Sequence, residues 1–252
     1  NTKPTIMSYF DDASLAFLPS GAAGKDGKAY SIKPTDGTGD FTFTRGSNLS
    51  ATRVDASQLI EKGRENLLLQ SNQFDTTWGA ATGISLTGGQ SGYNGNNAWK
   101  LESNGASGFL SINQYVTVSG VNTYSVYAKA GTNDFISIRG LSALDVRAQF
   151  NLSNGTVHGS NNEIDAKITS LGNSWYRCSV TFSSSNTVFY IYPNLQGTAS
   201  AGFVYIQDAQ LEKSLVATDV IETTTTTGKA GILEDTPRFD YSGGATCPSL
   251  LL

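Results

Sequence analysis

The sequence predicts an all-β protein built around a jelly-roll β-sandwich. Between residues 63 and 213, short apolar or alternating segments recur at regular spacing, and none forms a convincing helix of ten residues. Asn-Gly pairs at residues 94–95, 104–105 and 154–155 separate such segments, and Asn-Gly readily adopts the positive φ of a tight turn. The composition, with 27 Gly, 10% aromatic and only 15% charged residues, is also typical of strands joined by many turns.

The sandwich is predicted to contain eight or nine strands. A short apolar run at residues 66–70 opens this region, and residues 150–158 form a hairpin around the third Asn-Gly pair. The predicted strands are residues 98–101, 109–118, 123–129, 135–139, 148–152, 175–182, 188–192 and 203–211.

Two regions of different character flank the sandwich. Residues 1–62 contain short strand-like pieces at residues 14–18, 28–32 and 40–44, separated by Gly-rich turns, and they carry too few apolar residues to build a core of their own. We therefore expect an extended N-terminal segment that docks on the sandwich or on a partner. Residues 214–252 begin with a Thr-rich linker at 223–227 and end on an apolar run, so we expect a further module to follow Leu252.

Composition excludes several classes of function. The net charge is −4 and no run of Lys or Arg is present, which argues against a nucleic-acid partner. No apolar stretch is long enough to span a bilayer, and no signal-peptide pattern opens the chain. The two cysteines, Cys178 and Cys247, cannot form a Cys-x-x-Cys pair, which leaves either one bridge or two free thiols.

The sequence also predicts that the protein is not an enzyme. A single histidine, His158, excludes sites within one chain that need two imidazoles, and its neighbourhood is typical of a solvent-facing turn. No Gly-x-Ser-x-Gly elbow is present, and no pair of carboxylates is singled out by local sequence as a glycosidase would require.

Candidate binding residues follow from the alternation of side chains along each strand. In residues 175–182, Tyr176, Cys178, Val180 and Phe182 form an apolar set that predicts the core, and the intervening side chains point outward. Residues 135–139 carry apolar residues on both alternations and stay unassigned. The outward side chains predicted to share one carbohydrate-binding face are Tyr127, Lys129, Trp175, Arg177, Tyr190 and Tyr192.

Aromatic rings beside hydrogen-bonding side chains favour sugar binding, because a ring stacks on C–H groups while Arg, Lys and Tyr hydroxyls bind the sugar hydroxyls. Tyr and Trp are also enriched at protein interfaces. Packing of the same rings against the N-terminal segment or a neighbouring subunit is therefore the alternative.

Several motifs, taken in order, resemble bacteriophage virion structural proteins, notably those of phages that infect Bacteroidetes. They lie at residues 40–47, 51–54, 59–74, 124–131, 175–182, 204–212, 237–241 and 248–252, together with Trp78. The middle region is similar to carbohydrate-binding modules of the CBM4/9 type, with which it shares an Asn-Leu-Leu opening and a closing Asp-Ala-Gln-Leu-Glu strand.

The resemblance implies a fibre or spike protein on the virion surface that presents a glycan- or receptor-binding sandwich to the host cell. The alternative is a purely structural decoration or connector protein of the head or tail, whose aromatic face is buried in protein contacts. Either interpretation implies other virion proteins as partners and a homo-oligomer, with a trimer by analogy to phage fibres. The resemblance implies no cofactor other than a structural Ca²⁺, for which Asp208 is the matching carboxylate and carbonyls near Asn72 are candidate partners.

Overall fold

The computed structural model describes residues 9–16, 28–29, 31–42, 52–55, 57–95, 97–231, 238–244 and 249–251. The chain divides into two compact units, one within residues 1–64 and 229–252 and the other formed by residues 65–228. The helix in the described residues spans four residues, and no helix there has the length and apolar character that a membrane crossing requires.

The elements in chain order are α1 (Tyr9–Asp12), β1 (Lys28–Ala29), β2 (Phe41–Thr42), β3 (Thr52–Val54), β4 (Ile60–Lys62), β5 (Arg64–Asn66), β6 (Gly79–Ala80), β7 (Ile84–Ser91), β8 (Asn97–Asn104), β9 (Ile112–Val118), β10 (Val121–Ala130), β11 (Phe135–Ser142), β12 (Asp145–Asn151), β13 (Thr156–Asn161), β14 (Asp165–Gly172), β15 (Trp175–Ser183), β16 (Asn186–Tyr192), β17 (Ala201–Glu212), β18 (Gly228–Ala230), β19 (Arg238–Asp240) and β20 (Ser249–Leu251).

The larger unit is a sandwich of two six-stranded antiparallel sheets. Sheet I has the strand order β14-β15-β10-β17-β8-β7, and sheet II has the order β13-β12-β11-β16-β9-β6. Consecutive strands often alternate between the sheets: β15 belongs to sheet I, β16 to sheet II and β17 to sheet I again. This architecture confirms the predicted all-β jelly-roll sandwich.

The core lies between the two sheets and follows the predicted alternation. Cys178, Val180 and Phe182 of β15 are buried, and so are Phe189 and Ile191 of β16. Tyr176 of β15 is only half-buried and packs against the edge of this core. Cys178 is a free thiol in this core, and burial raises its pKa. Cys247, its candidate partner in a bridge, lies outside the described residues.

The sequence missed the two edge strands of sheet I, β7 and β14. Both strands are mostly polar. The residues of β7 alternate between half-buried and exposed, and those of β14 are largely exposed. An edge strand covers little of the core, so its apolar signal is weak. Ile84 and Leu86 of β7, with Ala166 and Ile168 of β14, nevertheless pack against the core from the inner face.

Residues 214–228 belong to the sandwich unit, although the sequence assigned them to the C-terminal linker. Thr223 is buried, and its hydroxyl donates a hydrogen bond of 2.7 Å to the Leu68 carbonyl. Its backbone N–H donates to the Ser71 hydroxyl at 2.9 Å. The start of the Thr-rich run therefore closes the sandwich along the chain segment that opens it.

The described residues of the smaller unit form three two-stranded antiparallel pairs, β1 with β2, β3 with β4, and β19 with β20. The Val54 N–H donates to the Asp240 carboxylate at 2.7 Å, and the Tyr241 N–H donates to the Val54 carbonyl at 2.9 Å. Of the N-terminal strands predicted at residues 14–18, 28–32 and 40–44, residues 17, 18, 30, 43 and 44 lie outside the described residues.

Candidate functional site

The structure places the six predicted binding residues on two sheets, so the prediction of a single shared face is wrong. Alternation along a strand decides whether a side chain points into or out of the sandwich, but not which sheet the strand joins. Sheet I carries Tyr127 and Lys129 on β10 and Trp175 and Arg177 on β15, whereas sheet II carries Tyr190 and Tyr192 on β16. Tyr192 is only 2% exposed, so its predicted role as a binding residue is also wrong.

The rings on sheet I are covered by other residues of the same unit. Trp175 is 2% exposed and Tyr127 is 6% exposed. Tyr93, from the turn after β7, stacks on Tyr127 with ring centroids 4.3 Å apart and an interplanar angle of 7°, and Val220 packs on the same cluster. The Arg177 guanidinium carbon lies 5.1 Å from the Tyr127 centroid. These contacts give the cluster a packing role within the chain.

A groove of about 390 Å³ runs along β15 beside this cluster. Its floor includes Arg177, and its walls are β14 and the segment that follows β17. Lys167, Asp165 and Asp219 add charges of both signs to its lining. Lys129 is half-buried on the same outer face of sheet I.

The outer face of sheet II presents a row of polar and aromatic side chains at one level of the sheet. The residues that face one another as Cα partners across β13, β12, β11, β16 and β9 are Asn161, Arg147, Arg139, Tyr190 and Asn113. All five are half-buried, which leaves part of each side chain at the surface. We call this set the sheet II row.

Arg139 holds the aromatic part of the row in place. Its side chain is 14% exposed, and its Nε donates to the Asp145 carboxylate at 2.6 Å. Its Nη1 donates to the Tyr192 hydroxyl at 3.4 Å, and its guanidinium carbon lies 5.9 Å from the ring centroids of both Phe109 and Tyr190. The ion pair with Asp145 therefore holds the guanidinium group close to both rings.

Around the row, aromatic surface and hydrogen-bonding groups lie side by side. Phe109 is 61% exposed and Tyr115, on the adjacent strand β9, is 77% exposed. Arg147 donates from Nη1 to the Gln196 side-chain carbonyl at 2.6 Å, which orients its guanidinium group. This arrangement provides apolar ring faces for stacking and several polar groups for hydroxyls, as sugar recognition requires.

Sequence reasoning missed Arg139 and Arg147. Arg139 falls in the strand whose alternation was unassigned, and its neighbour Ile138 is buried, as is Ile136. The sequence signal that could have identified Arg147 is the alternation in β12. Val146, Ala148 and Phe150 are buried there, so Arg147 must point outward.

Asp208 lies at a β-bulge in β17, with φ of 47°. Its Oδ2 accepts hydrogen bonds from the Tyr93 hydroxyl at 2.9 Å and from Gln207 Nε2 at 3.3 Å. Its Oδ1 is buried without a hydrogen-bond partner in the structure. Burial raises the pKa of Asp208 to about 6, and the nearby Glu222 charge adds to the rise. The backbone N–H of Asp208 donates a hydrogen bond to Asn72 Oδ1 at 3.4 Å.

An oxygen-rich cavity of about 680 Å³ lies close to Asp208. Asn72, Asn97 and Glu222 are among the residues that line it. Within the described residues, no three His, Cys, Asp or Glu side chains form a group that could hold a metal ion. The lining offers a hard cation the Glu222 carboxylate and the Asn72 amide oxygen, and the backbone N–H of Asp208 contacts that amide oxygen.

Comparison with known proteins gives structural likeness only. No family model matches the sequence, and no curated protein matches it. Similar solved structures include the enzymatically active domain of tailspike protein 4 of bacteriophage CBA120, at 13% identity and a TM-score of 0.34, over 58% of this chain and 21% of that one. This chain thus spans about a fifth of that tailspike chain.

Two carbohydrate-binding modules are also similar. One is the CBM22-1 xylan-binding domain of Paenibacillus barcinonensis Xyn10C, at 13% identity and a TM-score of 0.35, over 61% of this chain and 94% of that one. The other is TmCBM61, solved with β-1,4-galactotriose, at 12% identity and a TM-score of 0.37, over 59% of this chain and 99% of that one. At TM-scores below 0.5, none of these likenesses assigns a function to this chain.

Proposed function

We propose that this protein binds glycan through the outer face of sheet II. The observation that carries the proposal is the half-buried Tyr190 ring, held beside the Arg139 guanidinium on a face where Phe109 and Tyr115 are exposed. A ring fixed in this way stacks on the C–H side of a sugar, and the neighbouring Asn113 and Arg147 provide donors for hydroxyl oxygens.

Preorganisation supports the same proposal. Arg139 is already fixed by Asp145 and Tyr192, so binding would not have to order its long side chain. Ordering a side chain rich in rotamers costs roughly 0.5–1.5 kcal/mol at an interface. A face that avoids this cost suits a ligand that makes few contacts, such as a short stretch of polysaccharide.

We propose further that the glycan-binding sandwich is part of a phage fibre or spike protein, located on the virion surface and used for host attachment. The ordered series of sequence motifs supports this proposal, and so does the resemblance of the middle region to carbohydrate-binding modules. On this proposal the protein forms a homo-oligomer, contacts other virion proteins and binds glycan without cleaving it.

The test is binding of the purified chain to a panel of bacterial and plant polysaccharides by affinity electrophoresis and calorimetry. Tyr190→Ala should weaken binding at least tenfold, because it removes the stacking ring. Tyr205→Ala is the matched control, since Tyr205 is a half-buried tyrosine on the outer face of sheet I. Equal losses in both variants, or no loss in Tyr190→Ala, would remove the sheet II face as the site. Release of new reducing ends from a bound polymer would contradict binding without cleavage.

A structural decoration or connector protein is the second candidate function. The exposure of Phe109 and Tyr115 favours it, because aromatic and Arg side chains are enriched at protein interfaces. On this alternative the chain binds no polysaccharide, and cross-linking within assembled particles should connect the sheet II face to another virion chain.

We also propose that Asp208 holds a structural Ca²⁺ with the help of Asn72 and Glu222. The buried Oδ1 without a partner supports this proposal, because a buried carboxylate oxygen is costly unless a donor or a cation satisfies it. The cation would neutralise Asp208 and Glu222 and connect β17 to the chain segments that open and close the sandwich unit.

A further inference from the structure

We propose that the glycan bound by the sheet II face carries carboxylate groups, and that Arg147 is the residue that binds them. This inference rests on the proposed glycan binding and adds the chemical class of the ligand. It follows from the charges on the sheet, the register of its strands and the hydrogen bonds of the two arginines.

The strands of sheet II carry a net positive charge in an acidic protein. These six strands contain three charged side chains, Arg139, Asp145 and Arg147, with His158 left out of the formal charge. The strands therefore contribute a net charge of 2 − 1 = +1, whereas the whole chain carries −4. A positive site on a negative protein attracts an anionic ligand only through short-range contact, since long-range steering is unfavourable.

The strand register places the two arginines directly opposite each other. Arg139 and Arg147 are Cα partners in the β11–β12 pair. Like charges in directly opposite positions destabilise a sheet. Asp145 compensates Arg139 at 2.6 Å. Arg147 forms no ion pair within the part of the chain that the structure describes, and its hydrogen-bond partner there is the uncharged Gln196. One arginine of the pair thus keeps an uncompensated charge.

The geometry of Arg147 suits a carboxylate better than a hydroxyl. A guanidinium group has five N–H donors, and Gln196 uses one of them while fixing its orientation. The remaining donors can form the two parallel hydrogen bonds that a carboxylate accepts, and these bonds are stronger than those to neutral groups. A carboxylate would also relieve the repulsion between the two arginines, which a neutral sugar cannot do.

The spacing suits an extended chain of sugars. Arg147 lies two strands away from Tyr190 in the sheet II row, a separation of roughly 9–10 Å between backbones. A polysaccharide that crosses the strands can therefore stack one ring on Tyr190 and present the carboxylate of another residue to Arg147.

The experiment uses polymers that differ only in their charged groups. Polygalacturonate is compared with its fully methyl-esterified form, and hyaluronan with its carboxyl-reduced form, while dextran sulfate and dextran test whether a sulfate substitutes. The wild-type chain should bind the free carboxylate polymers and bind their capped or reduced forms at least tenfold more weakly.

Three variants identify the residue. Arg147→Gln should weaken binding to the carboxylate polymers about 10- to 100-fold, as expected for loss of a charge-assisted pair. Arg147→Lys should recover only part of this loss, because lysine keeps the charge but lacks the planar pair of donors. Lys167→Gln, which removes one positive charge from an exposed position on sheet I, should leave the affinity unchanged. Thermal unfolding of each variant checks that it is folded.

The outcomes separate this inference from the proposed function. Binding of neutral polymers with no effect of Arg147→Gln overturns the inference and leaves glycan binding in place. Binding of dextran sulfate alone overturns the assignment to carboxylates. Equal losses in Arg147→Gln and Lys167→Gln mean that only overall charge matters, which also overturns it. Failure to bind any polymer overturns both proposals.

Discussion

Replacing Asp208 by Asn should stabilise the protein without Ca²⁺ and lose almost all of that advantage over the wild type in Ca²⁺. Without the cation, burial raises the pKa of the Asp208 carboxyl group from the ordinary 3.8 to about 6. At 1.36 kcal/mol per pH unit, this rise corresponds to roughly 3 kcal/mol of unfavourable free energy once the group is ionised. Asn keeps an acceptor for the Tyr93 hydroxyl and tolerates the positive φ of the bulge, but carries no charge.

The pH dependence follows from the sign of the shift. Because the pKa of Asp208 is higher in the folded than in the unfolded state, the unfolded state loses this proton first as the pH rises. The contribution of this group to stability is therefore full below about pH 4, falls between about pH 4 and pH 6, and is lost above that range. Asp208→Asn should abolish this fall, so its gain over the wild type in EDTA should approach roughly 3 kcal/mol at pH 7.5 and vanish near pH 3.5.

The assay is urea unfolding of both proteins in EDTA and in millimolar Ca²⁺ at several pH values. Ca²⁺ at 100 times its dissociation constant should stabilise the wild type by about 2.7 kcal/mol and leave Asp208→Asn unchanged. Asp165→Asn, at an exposed position on β14, controls for the loss of a carboxylate. The reasoning about the buried charge is refuted if Asp208→Asn is less stable than the wild type in EDTA at pH 7.5. Equal stabilisation of both proteins by Ca²⁺ would remove Asp208 as a ligand.

Two further predictions concern packing and turns. Trp175→Ala should lower the free energy of unfolding by about 3–5 kcal/mol, because the ring is buried, while the folded protein keeps its polysaccharide affinity. Trp175→Phe is a milder variant for the same two measurements, stability by urea unfolding and polysaccharide affinity by calorimetry. If a folded variant lost its polysaccharide affinity, the binding site would lie on sheet I. Gly155→Ala should cost about 1–2 kcal/mol, because φ is 70° and a Cβ would lie 2.7 Å from Tyr176. Gly159→Ala, where the nearest atom is 3.5 Å away, should change stability by less than about 0.5 kcal/mol, and equal effects would contradict the strain at Gly155.

The fold was largely predictable because the core of a sandwich leaves a periodic trace in each central strand. Val180 and Phe182 alternate with polar residues, and the structure buries both of them. The edge strands leave a weaker trace, since β14 is polar and mostly exposed although Ile168 packs on the core. Bulges also break the trace: at Asp208 the register against β10 shifts, so alternation alone could not show that this carboxylate would be buried.

The candidate site was less predictable because it depends on which strands become neighbours. Trp175 and Tyr190 lie on consecutive strands of the sequence, but the jelly-roll order sends β15 to sheet I and β16 to sheet II. Tyr190 instead faces Arg139, a residue of a much earlier strand, because β11 pairs with β16. Local alternation carries no information about such pairing, which is decided by how the whole chain closes into two sheets.

The same closure explains why an aromatic residue can have opposite roles on the two outer faces. On sheet I, the turn that holds Tyr93 and the segment after β17 cover the outer face, and Tyr127 becomes part of a second small core. On sheet II, Phe109 and Tyr115 remain exposed. The ion pair with Asp145 fixes the Arg139 side chain there without covering these two rings. A ring that is already packed gains little from a ligand, whereas a fixed and exposed ring gains the full stacking contact. The face that the protein leaves open is therefore the one on which binding can be favourable.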